Sequence, residues 1–179
     1  RRKRFTNEQI EKRFPPGSEI VVQVSKGAIG TKGPRVTASL SIPGRYLVMM
    51  PGAGFRGVSR KIEDEKERKR LKKLLEGLPL PPSTGFIVRT VAQGARKRNF
   101  VYDLKSLMVS WEDLQRAMRE NPAPCSLYRE PDLVERVVRD WLTTEVDRII
   151  VDSRPEFERV REIASRISRR ARSRIHLYE

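Results

Sequence analysis

Arg89 and Thr90 are the residues of this chain best equipped to handle a phosphate. They lie in the run Gly85-Phe86-Ile87-Val88-Arg89-Thr90-Val91-Ala92-Gln93-Gly94-Ala95. That run reads as a short apolar strand ending in an arginine, a hydroxyl and a glycine-bearing loop. A guanidinium fork beside a hydroxyl, at the lip of a strand, can grip a phosphate monoester. Taken alone, the dipeptide favours a plainer reading, in which Arg89 is a surface cation and Thr90 an ordinary strand residue. The surrounding motifs reverse that preference.

Charge narrows the partners. The 179 residues carry 38 Lys+Arg against 23 Asp+Glu, a net charge of +15, which points to a polyanion such as RNA, DNA or an anionic membrane surface. No apolar run approaches a membrane span, and no basic amphipathic helix has an apolar face free of core duties. Cys125 is the single cysteine and His176 the single histidine, so an internal disulfide, a His/Cys metal site and a Ser-His-Asp triad are all out of reach of these residues, unless His176 serves. Cys125 is expected to be a small buried residue and His176 a structural one. The first residues, Arg-Arg-Lys-Arg, do not resemble a signal peptide, so a reduced cytoplasmic setting fits best. A start without methionine, in the middle of a charge run, suggests a piece of a longer protein.

Several elements must position Arg89. Residues 1–18 are expected to be an exposed arm. Glu19 to Ser25 reads as a strand, and Gly27 to Pro34 as a turn-rich loop carrying Lys32. Arg35 to Ile42 alternates, with Val36, Ala38, Leu40 and Ile42 on one face, which predicts a half-buried antiparallel strand. Pro43-Gly44 makes a turn before a strand over 46–50. Ile62 to Leu75 predicts a charged helix stopped by Gly77 and by Pro79, Pro81 and Pro82. Leu104, Leu107, Met108, Trp111, Leu114 and Met118 have helical spacing and read as core. After the seam Asn121-Pro122-Ala123-Pro124 comes an α-β-α-β run. It begins with a helix over 132–142, with Leu133, Val134, Val137, Val138 and Trp141 as its buried face. A short buried strand over 146–152, a helix over 155–170 and a strand over 175–178 follow. Asp147 and Asp152 bracket that first strand, but two-metal chemistry needs several converging carboxylates. Asp152 is expected to cap the helix after it.

The ordered motifs Val22-Gln23-Val24-Ser25-Lys26, Ile29-Gly30-Thr31-Lys32-Gly33, Pro43-Gly44-Arg45-Tyr46-Leu47-Val48, Gly57-Val58-Ser59-Arg60-Lys61-Ile62-Glu63, Val88-Arg89-Thr90 and Glu130-Pro131-Asp132-Leu133 resemble the ribonuclease E/G family of bacterial endoribonucleases. The resemblance runs from about Pro16 to the end. It implies an α+β to α/β chain in three parts. Residues 1–39 would be the C-terminal part of an S1 (OB-type) RNA-binding barrel. Residues 40–134 would be a mixed α/β 5′-sensor domain, and 135–179 a segment of a structural RNase H-like domain. Carried over by position, Arg89 and Thr90 would bind the RNA 5′-phosphate, Gly44 and Val48 would touch the terminal nucleotide, and Lys32 would contact the RNA backbone. Arg60 would be a possible helper. Lys61 departs from the family's usual second arginine and loses its fork. Gly44 and Val48 have structural alternatives, a Pro-Gly turn and a core valine. The resemblance further implies a Mg²⁺-dependent endonuclease acting on single-stranded RNA in RNA processing and mRNA decay. Its metal-binding aspartates and a possible Zn²⁺ link would lie downstream, the whole enzyme would be a homotetramer, and this portion alone would be inactive. The rival expectation is a non-catalytic RNA-binding or ribosome-associated module.

Overall fold

The computed structural model describes residues 6–142, 146–167 and 169–178. Its elements are mixed α and β, as the sequence predicts. They run α1 (Asn7–Arg13), β1 (Gln23–Lys26), β2 (Arg35–Thr37), β3 (Ile42–Pro43), β4 (Leu47–Pro51), β5 (Arg56–Val58), α2 (Glu65–Glu76), β6 (Thr84–Val88) and α3 (Lys97–Glu120). Then follow α4 (Leu133–Trp141), β7 (Ile149–Val151), α5 (Arg154–Ile167), α6 (Arg169–Arg172) and β8 (Ile175–Leu177).

The central sheet has the order β3-β4-β6-β5, antiparallel except for the parallel pair β5 and β6. Helix α2 makes the crossover between those two strands. Side chains alternate across the pleat. Leu47, Met49, Phe86 and Val88 point inward and are fully buried, together with Leu71 and Leu75 of α2 and Phe100 and Leu107 of α3. Burying each large side chain contributes about 1.5–3 kcal/mol, so this cluster holds the sheet end in place. Asp64 starts α2 by accepting the backbone N–H groups of Lys66 and Glu67, and Gly77 ends it. A second, smaller core gathers Val138, Leu142, Val160, Ala164, Ala171 and Ile175 around the parallel pair β7 and β8.

Several expectations need correction. The part of the N-terminal arm within the described residues, from Thr6 on, contains a short helix, because Thr6 and Gln9 form a reciprocal capping box at its start. The alternating run 35–42 is two strands. It breaks after Thr37, whose side chain accepts the Ser39 N–H and turns the chain. The strand over 19–25 is shortened to Gln23–Lys26. The ribbon β1–β2 has apolar residues on open faces, with Val24 60% and Val36 50% exposed. On α4, Val138 alone is fully buried, whereas Leu133 and Trp141 are each 70% exposed. The apolar arc of that helix is wider than the contact it makes. The strand expected to be buried is only partly so: Ile150, at the centre of β7, is half exposed. Cys125 is exposed, because residues 121–132 form no helix or strand and are mostly open to solvent. Helix α5 begins at Arg154, directly after Ser153, so Asp152 stands one residue too early to cap it.

Candidate phosphate-binding site

Three loops meet at one end of the central sheet. Val58 of β5 lies opposite Val88 of β6, and the Ser59 N–H donates to the Val88 carbonyl at 2.8 Å. The chain then turns through Ser59–Ile62 on one side, and through Arg89 into a 3₁₀ turn at Thr90–Ala92 on the other. The third loop is the β3–β4 turn, closed by Gly44 N–H donating to Leu47 C=O at 2.8 Å. The Arg89 N–H bonds the Tyr46 carbonyl, also at 2.8 Å. Open α/β sheets place their ligands at such carboxyl ends of parallel strands.

The β3–β4 turn is built around a buried carboxylate. Asp103 of α3 accepts the backbone N–H groups of Arg45, Tyr46 and Leu47, each at 2.8 Å. Burial pushes its carboxyl above the ordinary value; the three N–H groups and the nearby Arg89 charge oppose that shift without reversing it. Gly44 is required here, since a Cβ would sit 2.7 Å from Asp103 Oδ2. The position read as a close approach to a nucleotide is therefore also a close approach to this carboxylate.

Arg89 is held from two directions. Its Nη1 donates to the Gly44 carbonyl and pairs with Asp140 Oδ1 at 2.8 Å. Nη1 is thereby committed, while Nε and Nη2 have no protein partner among the described residues. Those two nitrogens form the side edge of the guanidinium, a planar donor pair matched to two oxygens of a phosphate. The Arg89 side chain is 23% exposed, enough to be reached and little enough to stay fixed. Thr90 is exposed next to it, at the first position of the 3₁₀ turn.

Asp140 belongs to α4, the helix that sends Val138 into the second core. Its Oδ1 also accepts from Arg139 Nε at 2.9 Å, and its Oδ2 from Arg139 Nη2 at 3.0 Å. Burial pushes the Asp140 carboxyl up, yet hydrogen bonds from Arg139 and Arg89 outweigh that and hold it below the ordinary carboxylate value. Arg45 docks the same helix. Its Nη1 donates to the Val138 and Arg139 carbonyls and its Nη2 to the Leu142 carbonyl, so the guanidinium covers the carbonyl-rich C-terminus of α4.

The sheet end thus brings together Arg89, Thr90, Gly44 and Arg60. Arg60 is exposed within the Ser59–Ile62 turn, which Arg68 Nη1 braces through the Ser59 and Ile62 carbonyls. Val48 lies on the open face of the sheet, half-buried and flanked by Pro43 and Ile87 on the neighbouring strands. It is therefore outside the core, with an apolar surface available. Lys32 is elsewhere. It is exposed at a tight turn of the β1–β2 ribbon, where Ile29 and Lys32 exchange backbone bonds around Gly30 at φ +56°. The Gln23 side chain ties that ribbon to the central sheet through two bonds to the Ser41 backbone.

Sequence reasoning missed Arg45, Asp103, Arg139 and Asp140. One signal was available: Asp103 falls in register with Phe100, Leu104 and Leu107, an acid on the apolar face of an amphipathic helix. Nothing local marked the other three.

Fold and site together define a mixed α/β protein whose central sheet ends in an arginine held through one nitrogen, with its Nε–Nη2 edge open. The profile of the ribonuclease E/G family matches residues 41–179. Ribonuclease G of Escherichia coli (strain K12) is 40% identical over 163 residues, covering 91% of this chain and 33% of that protein. Ribonuclease E of Nostoc sp. is 39% identical over 153 residues, 86% of this chain and 22% of that protein. Ribonuclease E of Haemophilus influenzae is 37% identical over 166 residues, 91% of this chain and 17% of that protein. This chain belongs to the ribonuclease E/G family. It spans about a third or less of the length of these curated relatives.

Proposed function

We propose that this chain is the RNA-binding, 5′-monophosphate-sensing portion of a single-strand-specific endoribonuclease that processes and degrades RNA. The observation that carries this reading is Arg89. It is anchored through Nη1 to Gly44 and Asp140, and its Nε–Nη2 edge is left for a ligand beside the exposed Thr90. A terminal phosphate monoester has more charge and more accepting oxygens than an internal diester. A 5′-hydroxyl has neither. Val48, on the open face, offers an apolar surface to the terminal base, and the Gly44 backbone lies at the same turn, where its carbonyl holds Arg89. Arg60 adds positive field. Lys32, on a separate ribbon, contributes to holding the strand whatever its 5′ end.

In the assignment proposed here, residues 1–39 belong to an S1-type unit, 40–134 to the 5′-sensor and 135–179 to an RNase H-like segment. Cleavage belongs to the whole enzyme, a homotetramer supplied with Mg²⁺. Among the described residues no three carboxylate, imidazole or thiol groups converge. The chain alone is expected to leave a 5′-monophosphorylated substrate uncut in Mg²⁺; specific products that persist through repurification would place an active site here. Among the described residues no helix is long and apolar enough to cross a membrane.

The direct test uses matched oligoribonucleotides differing only at the 5′ end. Charge-assisted hydrogen bonds are worth about 1.5–3 kcal/mol each, so Arg89→Ala should cost on the order of tenfold or more for the monophosphate. The preference over the 5′-hydroxyl should disappear. Arg89→Lys should restore only part of it, because a point charge lacks the fork. A wild-type chain indifferent to the 5′ end, or an Arg89→Ala chain that keeps the preference, would end the sensor reading.

A further inference from the structure

The candidate site contains a fixed negative charge. Asp140 reaches it from α4, and each of its carboxylate oxygens is held by Arg139, at 2.9 and 3.0 Å. Arg139 is anchored in turn, by Nη1 to the Pro43 carbonyl and by Nη2 to Glu130, both at 3.4 Å. The Asp140 carboxylate is therefore not a mobile counter-ion that steps aside when a ligand arrives. It also does more than orient Arg89, since the neutral Gly44 carbonyl already holds the same Nη1. What Asp140 adds is charge. Arg89, Arg139 and Asp140 together carry one positive charge, where the two arginines without Asp140 would carry two.

We infer that Asp140 is a specificity-determining residue of this site, a built-in anion that limits how much negative charge Arg89 accepts and so favours a phosphate monoester over a polyphosphate end. The inference rests on the 5′-phosphate reading above. An anion on the Nε–Nη2 edge shares one guanidinium with the Asp140 carboxylate, which places the two a few ångströms apart. Their repulsion grows in proportion to the ligand's charge. A monoester carries roughly −1.5 to −2 at neutral pH, and a triphosphate end about twice that, so the same carboxylate penalises the triphosphate about twice as much in free energy. If pocket size alone discriminated, the preference would survive removal of this charge.

Two variants separate charge from geometry. Asp140→Asn keeps the shape and an accepting oxygen but removes the charge; Asp140→Glu keeps the charge. Binding of oligoribonucleotides ending in 5′-hydroxyl, 5′-monophosphate or 5′-triphosphate is measured by fluorescence anisotropy at fixed salt. Asp140→Asn should tighten monophosphate binding about threefold and triphosphate binding about tenfold. The preference for monophosphate would narrow about threefold, with the hydroxyl end unchanged, and Asp140→Glu should keep the wild-type ratio. A ratio unchanged or widened in Asp140→Asn would overturn the inference. So would a ratio narrowed equally in Asp140→Glu, since lost geometry would then be the cause. A wild-type chain that does not distinguish monophosphate from hydroxyl is a different result: it removes the sensor reading itself.

Discussion

Gly44 and Asp103 show how a single residue type fixes the site. The β3–β4 turn points three backbone N–H groups at one spot, and the carboxylate that fills it leaves no room for a Cβ at position 44. Gly44→Ala should therefore push Asp103 out of place and cost about 1–3 kcal/mol, the usual penalty of overpacking, visible as a lower urea midpoint with unchanged m-value. It should also weaken 5′-monophosphate binding, because the Gly44 carbonyl that holds Arg89 moves with the turn. An alanine variant of wild-type stability would show that the turn relaxes freely. The sequence made Arg89 legible because a charged residue directly after an apolar strand must sit at its end. Arg45 and Asp140 were not legible, because their partners lie 97 and 51 residues away and no local pattern encodes such pairings.

At the scale of elements, α4 is the joint between the two cores, and hydrogen bonds and an ion pair tie it to the sheet end. Arg45 covers its last carbonyls, and Asp140 reaches back to Arg89. Replacing Arg45 by Met keeps bulk but uncovers those carbonyls. Hydrogen exchange in α4 should then accelerate about tenfold, the equivalent of one lost charged hydrogen bond, while α2 and β4 keep wild-type protection. Exchange that is unchanged in α4 would mean that Val138 and Leu142 hold the helix without help. Acid should act on the same joint. The Asp140 carboxyl sits below its ordinary value of about 4. The stability it contributes is therefore complete above that ordinary value and disappears as pH falls through the folded one. Asp103 has the opposite sign, since its raised carboxyl favours the folded state on the acid side of its window and costs stability as pH rises through it. Asp140→Asn should flatten the loss of α4 protection below about pH 4. Most of these elements could be read from periodicity and caps, as with Asp64 and Gly77 around α2. The open side of α4 could not, because the apolar arc of Leu133, Val137 and Trp141 states what a helix could bury, not what packs against it here.

For the molecule as a whole, the net charge of +15 and the anchored Arg89 predict two separable kinds of RNA binding. Bulk attraction to the backbone releases counter-ions, so the affinity for single-stranded RNA should fall linearly with salt on logarithmic axes, with a slope of about −0.7 for each phosphate neutralised. Lys32 is exposed on the β1–β2 ribbon, away from the Arg89 cluster, and makes no ion pair among the described residues. Lys32→Ala should therefore lower affinity for 5′-hydroxyl and 5′-monophosphate RNA alike and make the slope shallower by about 0.7. Arg89→Ala should leave the slope for 5′-hydroxyl RNA unchanged, because that end offers it no phosphate. On 5′-monophosphate RNA, the same substitution should remove the extra affinity at every salt concentration. The measurement is a salt titration of both RNAs against the wild-type chain and the two variants. A salt-independent affinity would remove charge-driven binding from the account. A Lys32→Ala effect confined to the monophosphate would mean that the ribbon and the sheet end act as one site, contrary to the placement of Lys32 on a ribbon tied to the sheet through Gln23 and Ser41.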